Sequence, residues 1–85
     1  MITVRMLFFA HLQDVAGARE SPLSLPEGAT VRTAAAFLEH ELPGFSGQLD
    51  SVRVAVNAEF AGPDTLLNDG DEVAWMPPMS GGLNV

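Results

Sequence analysis

Cysteine is absent from the 85 residues of this chain, which removes disulfides, thiolate nucleophiles and sulfur ligands for a metal. Any sulfur chemistry therefore has to use another group. Lysine is absent too: the four basic residues are Arg5, Arg19, Arg32 and Arg53, set against eleven acids for a formal charge of −7. Phosphate backbones and anionic membrane surfaces repel such a chain, so nucleic acid and membrane are not expected partners, whereas a protein with a basic cleft is. Lacking lysine, the chain cannot itself accept an isopeptide bond on a side chain. Long apolar runs are also missing. Met6 to Ala10, as long as any, falls far short of the roughly 20 residues of a membrane-spanning helix, and Met1-Ile2-Thr3-Val4-Arg5 alternates like a strand rather than a signal peptide. These absences predict a soluble, cytoplasmic protein.

What is present is a 47% apolar composition, which argues against disorder, in a length that holds one core. Ile2, Val4, Met6 and Phe8 alternate with Thr3, Arg5, Leu7 and Phe9 as a first strand. Ala10 to Ala16 reads as a helical turn stopped by Gly17, and Ser21 to Leu25 as a second strand before the Pro26-Glu27-Gly28 turn. Thr30 is placed to cap a helix whose apolar stripe is Val31, Ala34, Ala35, Leu38 and Leu42, ended by Pro43-Gly44. After a polar loop come a strand over Val52, Val54 and Val56, a short extended piece near Glu59 to Ala61, the Asn68-Asp69-Gly70-Asp71 turn, and a last strand through Glu72-Val73-Ala74-Trp75-Met76. One principal helix and about five strands predict a mixed α+β sheet with the helix packed on one face. Residues 1–77 are expected to form this domain and 78–85 a flexible tail.

Strand parity divides the sheet. If Ile2, Val4, Met6, Val52, Val54, Val56, Val73 and Trp75 face the helix, then Arg5, Leu7, Phe9, Arg53, Ala55, Ala74 and Met76 lie on the side with no helix left to cover it. Leu7, Phe9, Ala55, Ala74 and Met76 are expected to form an exposed apolar patch suited to a protein contact.

Side-chain chemistry is thin. His11 and His40 have no ligand-like spacing, no serine sits in a nucleophile motif, and Asp69-Gly70-Asp71 is too short for a calcium loop, so no metal site is expected. The sequence near its end reads Pro77-Pro78-Met79-Ser80-Gly81-Gly82. Each glycine ordered in a regular element costs about 0.5–1 kcal/mol relative to alanine, so the pair is not there to stabilise the fold. A backbone stripped of side chains can instead thread a narrow channel and present a carboxylate for activation on a nucleotide phosphate.

Taken together, Leu7-Phe8-Phe9-Ala10, Leu25-Pro26-Glu27-Gly28-Ala29-Thr30-Val31, Val54-Ala55-Val56-Asn57, Asp69-Gly70-Asp71-Glu72-Val73-Ala74 and Pro77-Pro78-Met79-Ser80-Gly81-Gly82 resemble, in order and spacing, the small sulfur-carrying subunit of molybdopterin synthase. This is the MoaD/ThiS ubiquitin-like family, and the resemblance implies a β-grasp fold. It further implies that the chain is not a catalyst alone. An adenylating, E1-like enzyme would use ATP and magnesium, neither bound by this chain, to activate the Gly82 carboxylate. A sulfur donor would then make the thiocarboxylate, and the large synthase subunit would pass its sulfur to cyclic pyranopterin monophosphate. Gly82 and Gly81 are the implied reactive residues, Ser80 and Met79 lead into the channel, and Met76, Phe60, Phe9 and Leu7 lie on the implied partner surface. Where many relatives carry an arginine after the first strand, this chain has Leu12-Gln13-Asp14, so Gln13 meets the adenylating enzyme without an ion pair.

Leu83-Asn84-Val85 follows Gly82 and holds it in an amide. Activation at Gly82 therefore requires a peptidase to remove those residues. The extension also keeps other functions open: a sulfur carrier for thiazole, cysteine or a secondary metabolite, a ubiquitin-like protein modifier joined through Gly82, or a plain binding module. The doubled proline favours the molybdopterin branch.

Overall fold

The structure is a computed structural model that describes residues 1–78, so Met79, Ser80, Gly81, Gly82 and the residues after them lie outside the described part. Strands β1 (Ile2–Phe8), β2 (Glu20–Leu25), β3 (Arg53–Val56), β4 (Glu59–Phe60) and β5 (Glu72–Met76) form one sheet in the order β2-β1-β5-β3-β4. The central β1–β5 pair is parallel and its neighbours are antiparallel. Helices α1 (Leu12–Ala16) and α2 (Val31–Glu41) complete the fold, with α2 the principal helix. This is the mixed α+β sheet expected from the sequence.

Helix α2 starts where its chemistry says it should. The Thr30 hydroxyl accepts from the Thr33 backbone N–H at 3.3 Å, and the Thr33 hydroxyl accepts from the Thr30 N–H at 3.2 Å, a reciprocal capping box. Val31, Ala34 and Leu38 then bury one helical stripe against Ile2, Val4, Met6, Phe8, Val73 and Trp75 from the sheet. Inserted last between β1 and β3, β5 has partners on both sides, and its Val73 and Trp75 are almost completely buried.

Several local details depart from the sequence reading. The turn after β1 begins with Ala10 at φ 53° and becomes helical only at Leu12. Gly17, at φ 75°, closes it in the left-handed conformation that glycine adopts without strain. The third strand begins at Arg53 rather than Val52. The polar loop after α2 contains two single 3-10 turns, Pro43–Phe45 and Leu49–Ser51, and delivers Phe45 to the core. Its ring lies 5.5 Å from that of Phe8, centroid to centroid. A lone aromatic in a polar stretch has no periodicity to reveal it, so only the packed structure finds it.

Candidate functional site

The face of the sheet opposite α2 is assembled by register. Leu7 pairs with Ala74, Ala74 with Ala55, and Ala55 with Phe60, so one row crosses β1, β5, β3 and β4 on the outer side. Met76 pairs with Arg53 in the next row, and the Phe9 N–H donates to the Trp75 carbonyl at 3.1 Å, carrying β1 one step further along β5. The apolar end of the outer face is thus the end from which the chain leaves β5 through Pro77-Pro78.

Parity is right, but the patch is shallower than expected. Leu7, Ala74 and Met76 are half-buried, and Ala55, expected to be exposed, retains only 8% of its surface. The physical reason is size: a methyl group set between cross-strand Ala74 and Phe60 is covered by its neighbours. The protruding contacts are Phe9 and above all Phe60, 73% exposed, with the Arg53 guanidinium 5.7 Å from the Phe60 ring centroid.

Gln13 joins this region from α1. A hollow of about 330 Å³ is lined by Leu7, Phe8, Phe9, Gln13, Arg19 and Glu20, bringing three expected contact residues together with a cation. Arg19 was missed by the sequence reading, because it follows the α1 turn by two residues after Gly17 and no pattern ties it to Gln13. Of the expected site residues, Leu7, Phe9, Gln13, Phe60 and Met76 therefore share one side of the molecule, and the others lie outside the described residues.

The opposite end of the same face is polar and closed. Arg5 donates to Glu72 and lies 3.6 Å from Glu20. Its pKa is raised, chiefly by the hydrogen bond to Glu72 and then by the charges of Glu72 and Glu20. Asn57 donates to Asp71 at 2.9 Å and accepts from the Glu72 N–H at 3.0 Å, while Asp71 accepts from the Asn68 N–H at 2.7 Å. Asp69 accepts from the Thr3 N–H at 2.8 Å. These carboxylates tie a turn to the sheet, as the sequence reading expected of Asp69-Gly70-Asp71. Among the described residues no cluster of three or more His, Asp or Glu is arranged to hold a metal, and no helix is long and apolar enough to cross a membrane.

Comparison with known proteins places this arrangement. The chain matches the ThiS family over residues 6–82. The molybdopterin synthase sulfur carrier subunit of Chlamydomonas reinhardtii is 35% identical over 81 residues, which cover 93% of this chain and 98% of that protein. The subunit of the same name from Mycobacterium tuberculosis is 32% identical, covering 96% of this chain and 100% of its own. Small archaeal modifier protein 1 of Haloferax volcanii, a crystal structure, matches with a TM-score of 0.87 at 28% identity over 93% of this chain and 100% of that one. With sequence and β-grasp sheet shared over almost its whole length, the chain belongs to the ThiS family of ubiquitin-like proteins, alongside the sulfur carrier subunits of molybdopterin synthase.

Proposed function

We propose that this chain carries sulfur as a thiocarboxylate on Gly82 and delivers it in molybdopterin biosynthesis, as the small subunit of a two-subunit synthase. The observation that carries this reading is the coincidence of the apolar outer row with the end of β5 that leads through Pro77-Pro78 to Gly81-Gly82. A partner seated on Leu7, Phe60 and Met76 grips the root of the tail, and two glycines beyond Ser80 leave little but main chain to enter its channel. Large-subunit docking is therefore assigned to this face, with Phe9 at its tail end.

In this mechanism an adenylating enzyme, supplied with ATP and magnesium, joins the Gly82 carboxylate oxygen to the α-phosphorus and releases pyrophosphate. Sulfide-level sulfur from the donor, as hydrosulfide, then attacks the carbonyl carbon, the C–O bond to AMP breaks and AMP leaves with that oxygen, and loss of the proton leaves a thiocarboxylate. The large subunit passes that sulfur to cyclic pyranopterin monophosphate. Gln13 cannot form an ion pair with the adenylating enzyme, but Arg19 in the same hollow can. A peptidase that removes Leu83-Asn84-Val85 exposes the carboxylate on which all of this depends.

The likeness to small archaeal modifier protein 1 favours a second reading, in which Gly82 is joined to lysines of other proteins. Chains of this protein joined by isopeptide bonds on its own side chains are excluded, because it has no lysine.

The intact mass of protein from the native host separates the two. A form ending at Gly82, part of it with oxygen exchanged for sulfur, is the expected result. A native population that all extends beyond Gly82 would overturn the carrier reading. Gly82 remnants on host lysines, with no thiocarboxylate, would put the modifier first.

A further inference from the structure

Strand β2 is one of the two outer strands of the sheet, and among the described residues no strand pairs with its free side. The other outer strand, β4, is only Glu59–Phe60, which leaves the six residues of β2 as the long open edge. Register decides which of its main-chain groups point outward. Phe8 donates its N–H to the Arg19 carbonyl at 2.9 Å, and the pairs Met6 with Ser21, Val4 with Leu23 and Ile2 with Leu25 follow it in steps of two. Bonded and non-bonded positions alternate in an antiparallel pair, so Ser21, Leu23 and Leu25 bond to β1. Glu20, Pro22 and Ser24 turn their main chain to the free side. The other phase of β1 agrees, because Arg5 and Phe9 donate to the Asp71 and Trp75 carbonyls instead.

An open edge offers donors and acceptors on which another chain can pair. Here the middle donor is missing. Pro22 is central among the three outward residues, all of them exposed, and its ring fills the place of an N–H. Within the sheet the proline gives up nothing, since its position is not bonded to β1. At Ser21 or Leu23 it would break the ladder.

We infer that Pro22 closes the β2 edge against strand addition, above all against β2 of a second copy. Two copies related by a two-fold axis bring Pro22 against Pro22, where both bonds of the central pair are lost and two rings meet. A shift of register does not escape it. Every antiparallel register that pairs more than one outward residue of this strand includes Pro22. With the edge closed, the sheet meets other proteins through its outer face, whichever chemistry Gly82 carries.

Pro22→Thr restores the donor with a residue suited to strands, and its urea midpoint should stay near that of the parent chain. Self-association of the full chain is read by sedimentation from micromolar to millimolar protein, in high salt to screen the formal charge of −7 on each copy. The variant is expected to associate about tenfold more tightly than its parent, the scale of the backbone bonds regained, with the Glu20 and Ser24 amide signals shifting as it does. Adding Ser24→Pro removes a different outward donor and should return the monomer, whereas adding Phe60→Asp should not. Pro22→Val gives a second test should the threonine variant fold poorly. Equal self-association of variant and parent at millimolar protein overturns the inference, as does a parent chain whose Glu20 and Ser24 amides shift with concentration. Association undone by Phe60→Asp and not by Ser24→Pro assigns it to the outer face and overturns the inference too. A large fall in urea midpoint in both Pro22 variants does the same, since it shows that the proline is held for the strand itself.

Discussion

The two faces of this sheet use the same strands in opposite ways. On the helix side Val4, Phe8, Val73 and Trp75 are nearly without exposed surface, and α2, Phe45 and Leu12 close over them. On the outer side Leu7, Ala74 and Met76 stop half-buried, Phe60 stands clear, and one end of the face is held by charged and amide groups. The difference teaches where the free energy is assigned. Complete burial on one face supplies stability, while incomplete burial on the other leaves apolar area that only a partner can remove from water.

Removing the Phe8 ring attacks the first face directly. Phe8→Ala deletes a fully buried ring in contact with Phe45 and should cost about 3–5 kcal/mol, read as a lower urea midpoint with little change in slope. A loss below about 1 kcal/mol would mean the core collapses around the gap and the contrast between faces is weaker than drawn. Phe60→Asp reverses the test. Stability should move by only about 0.5 kcal/mol, while affinity for a large synthase subunit, measured by calorimetry, should fall by about 2 kcal/mol or more, as for an anchor residue. A variant that keeps its partner but loses its fold would invert the assignment.

A smaller effect is expected at the hairpin joining β3 to β4. Asn57 and Ala58 both have positive φ, 52° and 72°, the conformation of a two-residue turn that favours Asn-Gly. Alanine is strained there, so Ala58→Gly should raise stability by about 0.5–1 kcal/mol in the same urea melts, despite the extra freedom of the unfolded chain. A loss instead would show that the Ala58 methyl is packed rather than strained.

The smallest change is predicted at the polar end of the outer face. Because the Arg5 pKa is raised in the folded state, the stability it contributes is fully present below the ordinary arginine value and disappears only as pH rises through the raised value. Melts taken across the neutral and mildly alkaline range should therefore show no loss from this group. With the side chain 60% exposed, solvent and salt screen the pair, and Arg5→Gln should shift the melting midpoint least of the variants named here. A clear drop at neutral pH would give the polar end a structural weight it is not assigned.

Much of this contrast was legible in the residues themselves. Alternation in β1 and β5 marked the two faces, Thr30 marked the start of α2, and Asn68 to Asp71 marked a turn, because each of these is decided by neighbours along the chain. Ala55 was read as exposed, since parity reports the face of a residue and not what covers it. Phe45 and Arg19 were not found, one isolated in a polar stretch and the other separated by a turn from the residues whose hollow it lines. A groove lined by Arg32, Arg53 and Trp75 was invisible for the same reason, since the three come from α2, β3 and β5, which only folding brings together.

By itself, the sequence determined the class of fold, the inward and outward sides of each strand, and the presence of Gly81-Gly82 beyond a doubled proline. These follow from steric and hydrophobic preferences that act over a few residues. Tertiary structure alone decided that β5 lies between β1 and β3, that its end meets the row from Leu7 to Phe60, and that Phe45 reaches the core beside Phe8. Each depends on contacts between residues far apart in the chain, which no local preference encodes.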